Sequence, residues 1–305
     1  MHALSDWFNR KGWRVSIIGI PYIWLILFFL IPFLIVVAMS VAHRENASPP
    51  IAFEQAWPWL NWSNYSRLFS DSVYVRAYFI SLWNAALATC LCLLLGYPMA
   101  LGMTRVSKNW QRTLLMLVIL PFWTSFLLRV YAWIGLMGSN SWFNKLLTVA
   151  YNTLTPAGYH LNAIPMMNTN FAVILVLVYS YLPFMLLPLY ANLEKLDYTL
   201  NEAAMDLGSR PSAVFRDITL PLSVPGIIAG GLLVFIPASG ELIIPTLVGS
   251  AADPMIGRVI SDEFSSVRDW PMASAVAVAL LLLLVVPTIA YNFFEAKAQA
   301  AKDGR

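Results

Sequence analysis

The sequence predicts an all-α integral membrane protein with six transmembrane helices and a polar elbow on one side, and three observations predict it. Of 305 residues, 59% are hydrophobic and only 11% charged, with a mean hydropathy of +0.67. Six apolar runs reach the length of about 20 residues that crosses about 30 Å of hydrocarbon. Lys and Arg sort to alternate sides of those runs. A soluble chain would carry about a quarter charged residues, and surface that must grow with size leaves no core able to hide the deficit.

The first run, 17–40, is 24 residues long and lacks a following small-residue cleavage pattern, so it reads as a retained anchor and not a signal peptide. The others are 77–104, 113–137, 171–193, 218–247 and 270–294. Four of the six hold no charge; the third contains Arg129 and the fifth Glu241. Prolines sit within or beside every run, among them Pro98, Pro121, Pro183, Pro225, Pro237 and Pro245. Neighbouring groups can satisfy the carbonyls that proline frees, so kinked helices are expected, not broken ones.

Orientation follows from the loops. Arg10, Lys11 and Arg14 precede the first run, and Arg105, Lys108 and Arg112 lie between the second and third. Lys195, Arg210 and Arg216 lie between the fourth and fifth, and Lys297, Lys302 and Arg305 end the chain. These short segments hold twelve basic residues; the longer opposite loops hold six, Arg44, Arg67, Arg76, Lys145, Arg258 and Arg268. The positive-inside rule then places both termini and the 194–217 loop in the cytoplasm. On the other side, Trp57, Trp59 and Trp62 suit a membrane–water interface. Trp142, Phe143, Leu146, Leu147 and Ala150 form a helical stripe that fits either the outer membrane face or the ends of the spans.

Several chemistries lack their residues. Cys90 and Cys92 are two apart, on different faces of a helix, and make neither a disulfide framework nor a metal site. His2, His43 and His160 show no metal-ligand spacing. No GxxxxGK[ST] phosphate loop is present, so the chain does not bind ATP by that route. No cofactor, catalytic constellation or nucleic-acid partner is indicated.

The most informative stretch lies between the fourth and fifth runs. Tyr198 to Leu207 reads as a short helix in which Thr199 caps the start and Glu202 completes a capping box. Leu200, Ala203 and Leu207 share one face, and Gly208 is placed to end the helix in a left-handed conformation. Pro211 suits the first turn of a second short helix running to about Thr219. Small Ala203 and Ala204 would let another protein's groove close tightly, while Glu202 and Asp206 offer carboxylates to cationic partners. Glu202-Ala203-Ala204, three residues, Gly208, nine residues, then Ile218-Thr219-Leu220-Pro221 is a pattern that resembles the cytoplasmic coupling loop of permease subunits in binding-protein-dependent ABC importers.

The resemblance extends from Pro21 to about residue 294 and is similar to bacterial spermidine/putrescine permeases, particularly the putrescine type. It is carried by Pro21-Tyr22-Ile23-Trp24-Leu25, by Gly96-Tyr97-Pro98-Met99-Ala100, by the segment from Leu120 to Trp133, and by the segment from Arg268 to Ala275. It implies the type I ABC importer permease fold in a bacterial inner membrane. It also implies a heterodimer with a second homologous permease, two copies of a cytoplasmic ABC ATPase and a periplasmic polyamine-binding protein. ATPase-coupling residues would be Glu202, Ala203, Ala204, Asp206, Gly208, Ile218, Leu220 and Pro221. The organisation expected is an N-terminal tail, first helix and periplasmic loop in 1–76, a permease core in 77–294 with its coupling loop at 194–222, and a cytoplasmic tail in 295–305. Gly226 and Gly230 allow close helix packing, with the interface to the partner permease as one place for it.

Two intramembrane charges carry the remaining chemistry, because an ionisable residue in a span costs about 2.5–3.5 kcal/mol on insertion scales. At the helical rise, Arg129 lies about 24 Å and Glu241 about 27 Å along their runs, both in the outer half of the membrane. They either pair with one another, with Arg129 able to snorkel outward instead, or line the path. A carboxylate with aromatic faces such as Trp123, Tyr131 and Trp133 is the lining expected for a polyamine. Other readings are an ABC permease for another small solute and an ion-coupled secondary carrier, which would need its own coupling-ion site where only Glu241 qualifies. A membrane enzyme would need clustered His, Asp or Cys that the sequence lacks.

Overall fold

The structure, a computed structural model, describes residues 17–45, 49–52, 61–156 and 159–303. Arg10, Lys11, Arg14, Trp57, Trp59 and Arg305 lie outside the described residues. The chain divides into two compact units, Met1–Tyr74 with Ile260–Arg305, and Val75–Val259.

In the first unit, α1 (Ile17–Ser40) is the expected first span, and only 6% of its most apolar window is buried. A helix apolar all round is suited to lipid or to a neighbouring subunit, not to water. A two-residue antiparallel ladder pairs β1 (His43–Arg44) with β2 (Ile51–Ala52), and α2 (Ser63–Ser70) follows. The helix α12 (Trp270–Asp303) packs along the second half of α1 and against α2. Its start is built by Asp269, which accepts from the Met272 N–H at 3.0 Å as an N-terminal cap. Arg67 reaches the same buried carboxylate at 3.4 Å, and Arg44 donates to the Val267 carbonyl at 2.8 Å.

The second unit holds most of α3 (Ser72–Thr104), then α4 (Lys108–Ile119), which continues as a tight turn over Leu120–Trp123. There follow α5 (Phe126–Met137), α6 (Trp142–Leu154), α7 (Asn170–Leu193) and α8 (Thr199–Asp206). The unit continues with α9 (Pro211–Ser239), α10 (Ile243–Val248) and the first residues of α11 (Ile256–Asp262). The hub is α7, whose Met185, Leu186, Leu189 and Leu193 are fully buried. Against it lies α9. A Cβ on Gly226 would come within 2.7 Å of the Asn192 Cβ, and one on Gly230 within 2.9 Å of the Met185 carbonyl oxygen. The glycine pair therefore closes two helices of one chain on each other, and not the partner interface that the spacing also allowed.

Two expected spans take a different form. The third is bent by 90° between Lys108–Trp123 and Phe126–Met137. Pro121 cannot donate to the carbonyl four residues back and its ring crowds that carbonyl. The helix tightens there and leaves through extended backbone at Thr124 and Ser125. The fifth begins earlier: Pro211 starts a 29-residue helix that runs without a break through a wider turn at Phe215–Thr219 and stops at Ser239. The short helix expected from Pro211 to about Thr219 is thus the first part of that span. The stretch 243–247, expected within the span, belongs to the separate α10. Among the described residues four helices can span alone, five if the bent pair counts as one, while the apolar part of α12 is the shorter Trp270–Val285. The architecture is all-α and membrane-spanning, short of six demonstrated spans.

The stripe on α6 is divided: Phe143 and Leu147 are half-buried, with Leu147 packed on the core, while Trp142, Leu146 and Ala150 are exposed. Asn144 and Thr148 face inward, and the Asn144 amide donates to the Met137 and Ile164 carbonyls at 3.1 and 2.9 Å. Trp142, Leu146 and Val149 are exposed on the outside of the helix.

Candidate functional site

Two places gather the residues singled out by the sequence. The first is the elbow. Its helix α8 starts at Thr199, yet no side-chain cap bond comes from Thr199 or Glu202. Asp197 does that work by accepting from the Thr199 N–H at 3.0 Å, and this backbone bond holds the Asp197 carboxyl below its ordinary value. The expected Thr199–Glu202 capping box is replaced because an Asp two residues upstream already occupies the first N–H. The helix ends as expected. Gly208 has a φ of 87°, its N–H donates to the Met205 carbonyl at 2.9 Å, and the Ser209 N–H donates to the Ala204 carbonyl at 3.0 Å. That pair of bonds is a Schellman ending, which needs a residue tolerant of positive φ.

Around the elbow, Glu202, Ala203, Asp206 and Pro221 are exposed, and Ala204, Ile218 and Leu220 are half-buried. Leu207 is 89% exposed and Leu200 50%. The polar residues on the opposite side tie the elbow down: Asn201 donates to the Thr219 hydroxyl at 3.2 Å, and the Tyr198 and Thr104 hydroxyls lie 2.7 Å apart. Lys108 donates to Glu194 at 2.9 Å, and that charged bond keeps the Glu194 carboxyl below its usual range. An apolar face is thus held outward where a solvated loop would turn it inward.

The second place is the break after α9. Glu241 stands in the three residues between α9 and α10. One carboxylate oxygen accepts from the Tyr181 hydroxyl at 2.5 Å, the other from the Ile243 N–H at 3.0 Å. Tyr181 is the twelfth of the 24 residues of α7, so Glu241 sits level with the middle of that helix. The outer-half position is expected from a run starting near Ser223; α9 starts earlier, at Pro211, and ends at Ser239, two residues before Glu241. Gly257 closes the break from the other side, where a Cβ would lie 2.5 Å from the Gly240 carbonyl oxygen and 2.6 Å from that of Glu241.

Arg129 does not pair with Glu241 among the described residues. Its guanidinium carbon lies 5.5 Å from the Phe122 ring centre and 5.6 Å from that of Phe126, and its buried Nε has no hydrogen-bond partner. The 90° bend puts Arg129 in the first turn of α5, not 24 Å along a straight span. Rings connect the two charges: Phe122 meets Phe184 edge-on at 5.1 Å, and Phe184 meets Tyr181 at 5.9 Å. Trp123 is 78% exposed and stands outside this series. Tyr131 is exposed as well, while Trp133 packs edge-on against Tyr179 at 5.4 Å. Tyr181, Phe184 and Phe122 were not singled out for any such role, since no spacing rule links Tyr181 to a carboxylate sixty positions on. Asp197 had a legible signal, a carboxylate two residues before a helix-starting Thr. Among the described residues no His, Cys, Asp and Glu gather to hold a metal.

Residues 92–299 match the family described as binding-protein-dependent transport system inner membrane component. The chain is 39% identical to the spermidine/putrescine transport system permease protein PotB of Haemophilus influenzae, over 93% of this chain and 94% of that protein. It is 38% identical to PotB of Escherichia coli over 91% and 94% of the two chains. Among solved structures, a bacterial ABC transporter involved in the import of the acidic polysaccharide alginate superposes with a TM-score of 0.70. That match is 18% identical and covers 97% of this chain and 99% of the other. At that identity the likeness establishes the fold, that of an ABC importer permease.

Proposed function

The chain belongs to the family of binding-protein-dependent transport system inner-membrane components, and we propose that it is one permease subunit of an ATP-driven importer moving putrescine or spermidine into a bacterial cytoplasm. The observation that carries this reading is the similarity to spermidine/putrescine permease proteins over more than nine-tenths of the chain. The subunit is a transport component without catalysis of its own. A second homologous permease completes the pore, a periplasmic polyamine-binding protein delivers the cargo, and two copies of a cytoplasmic ABC ATPase supply the energy. Residues 77–294 are the permease core, with coupling at 194–222, flanked by 1–76 and by a cytoplasmic tail at 295–305. Both termini face the cytoplasm, in accord with the basic residues of the sequence.

The elbow docks in a cleft of the ATPase. Leu207 and Leu200 supply exposed apolar surface, Ala203 and Ala204 allow close approach, and Glu202 and Asp206 meet cationic groups. Gly208 sets the turn, and Ile218, Leu220 and Pro221 carry the motion into α9, which is continuous with the elbow's second arm. Force applied there would reach the break at Glu241 along a single helix.

The test is reconstitution of this chain with the second permease, the ATPase and the receptor, followed by uptake of labelled putrescine and spermidine. Uptake that needs both ATP and receptor is the expected result. Uptake by this chain alone, driven by an ion gradient, would mark a secondary carrier and overturn the proposal.

A further inference from the structure

The charges of Glu241 and Arg129 present an imbalance. Among the described residues, Glu241 has only neutral donors, Tyr181 and the Ile243 N–H, and a carboxylate offers about four acceptor positions, so two remain open. The carbonyl end of α9 lies beside it, with the negative end of the helix dipole. Arg129 has the opposite problem. Its charge is met only by the faces of Phe122 and Phe126, and its Nε is buried without a hydrogen bond. An anion without a cation and a cation without an anion are therefore joined by Phe122, Phe184 and Tyr181 in ring-to-ring contact.

We propose that this series is a two-point site for an alkyl diammonium cargo: Glu241 takes one ammonium, and the Phe122–Phe126 ring pair takes the other. In the resting structure Arg129 fills the ring pair as a tethered cation. A cargo ammonium and the guanidinium cannot share the same faces, because like charges in a site of low dielectric repel strongly. The cargo must therefore displace Arg129 to bind at both points, and Arg129 keeps the transporter from holding its cargo between turnovers. A monoamine satisfies only Glu241 and leaves Arg129 in place. This assignment rests on the polyamine reading above and adds to it the residues that respond to the number of charges on the cargo.

The experiment uses the complete reconstituted complex. Glu241→Gln is well suited, because the amide carbonyl still accepts from Ile243 and the amide nitrogen donates to the Tyr181 oxygen. Only the charge is lost. Receptor-dependent putrescine uptake should fall about tenfold or more, with the thermal unfolding temperature unchanged. Arg129→Gln vacates the ring pair, and calorimetric titration of the receptor-free complex should show putrescine bound about tenfold more tightly than by wild type. The monoamine n-butylamine should show no such gain. If Arg129→Gln fails to assemble, Arg129→Lys, which sits less well on the rings, should shift putrescine binding about threefold in the same direction. Full uptake in Glu241→Gln, or equal gains for the two amines, overturns the two-point site and leaves the polyamine reading standing. A wild-type complex that imports no polyamine overturns both.

Discussion

The elbow at Gly208 and the break at Gly240–Leu242 both interrupt a helical path, and both depend on a glycine for opposite reasons. Gly208 stands in open space with nothing within 4 Å of a Cβ, and it is needed for its φ of 87°. Gly257, beside the break, has no positive φ, and it is needed because backbone oxygens lie 2.5 and 2.6 Å from where a Cβ would be. The polar groups follow the same division. At the elbow the last carbonyls of α8 are met by the next few residues of the chain, and water can serve whatever remains. At the break, backbone within a membrane must find its partners inside the protein or in a water-filled cavity. Glu241 is met instead by Tyr181 from another helix and by the first turn of α10. A reversal at a surface can be local, whereas one inside a membrane must be closed by distant parts of the chain.

That contrast can be broken most forcefully at Gly257. Gly257→Ala must push the 240–241 backbone aside, a cost of about 1–3 kcal/mol or more. The expected outcome is a lowered unfolding temperature in detergent and displaced Glu241. Unchanged stability together with normal uptake would show that the break is loosely packed.

Gly208→Val should act differently, straining one left-handed residue by about 1–2 kcal/mol while touching no neighbour. Insertion should hold, and both ATPase association and uptake should fall. Gly208→Asn should recover part of the loss, since Asn tolerates that conformation. Normal uptake in Gly208→Val would remove the elbow from the coupling role.

The smallest effect concerns the start of α8. The Asp197 carboxyl is held below its ordinary value by the Thr199 N–H, so its contribution is complete above the unfolded value near about 3.9 and is lost as pH falls through the lowered folded value. Asp197→Asn keeps a capping oxygen and abolishes the titration. Stability of the wild type should therefore decline more steeply at the acid end than that of Asp197→Asn, by an amount kept small because the group is solvent-accessible. Thermal unfolding measured from about pH 6 to about pH 3 checks it. A Thr199→Val variant should keep the helix start but show a shallower acid-end decline than wild type, since the Thr199 hydroxyl also bonds the Asp197 carboxylate and helps hold it low.

Legibility in the sequence tracks the range of the forces involved. The first span is found as a helix that ends at Ser40, where the apolar run ends, because twenty-odd apolar residues need no partner to declare themselves. The helix over Thr199–Asp206 and its ending at Gly208 were legible for a similar reason, since capping and positive φ are set within a few residues. The cap was misassigned to Thr199 only because two acceptors competed and Asp197 stood nearer the first N–H. By contrast, Pro121 and Pro225 look alike in the sequence. Yet α9 runs through Pro225 while the third span turns by 90° just after Pro121. Proline determines which hydrogen bond is lost, and the packing around it determines whether the helix bends, turns or continues.

The sequence by itself determined that the chain is membrane-spanning and helical, that its exposed elbow has a glycine turn, and that it is similar to importer permeases. Composition, local turn chemistry and motif spacing are properties of neighbouring residues. Only the tertiary structure decided that Gly226 and Gly230 close α9 on α7, that Glu241 rests on Tyr181 halfway along α7, and that Arg129 meets rings in place of a carboxylate. Those contacts join residues that no period or spacing relates. In a bundle where nearly every side chain is apolar, which helix faces which is settled by shape and by the few polar groups that must find a donor.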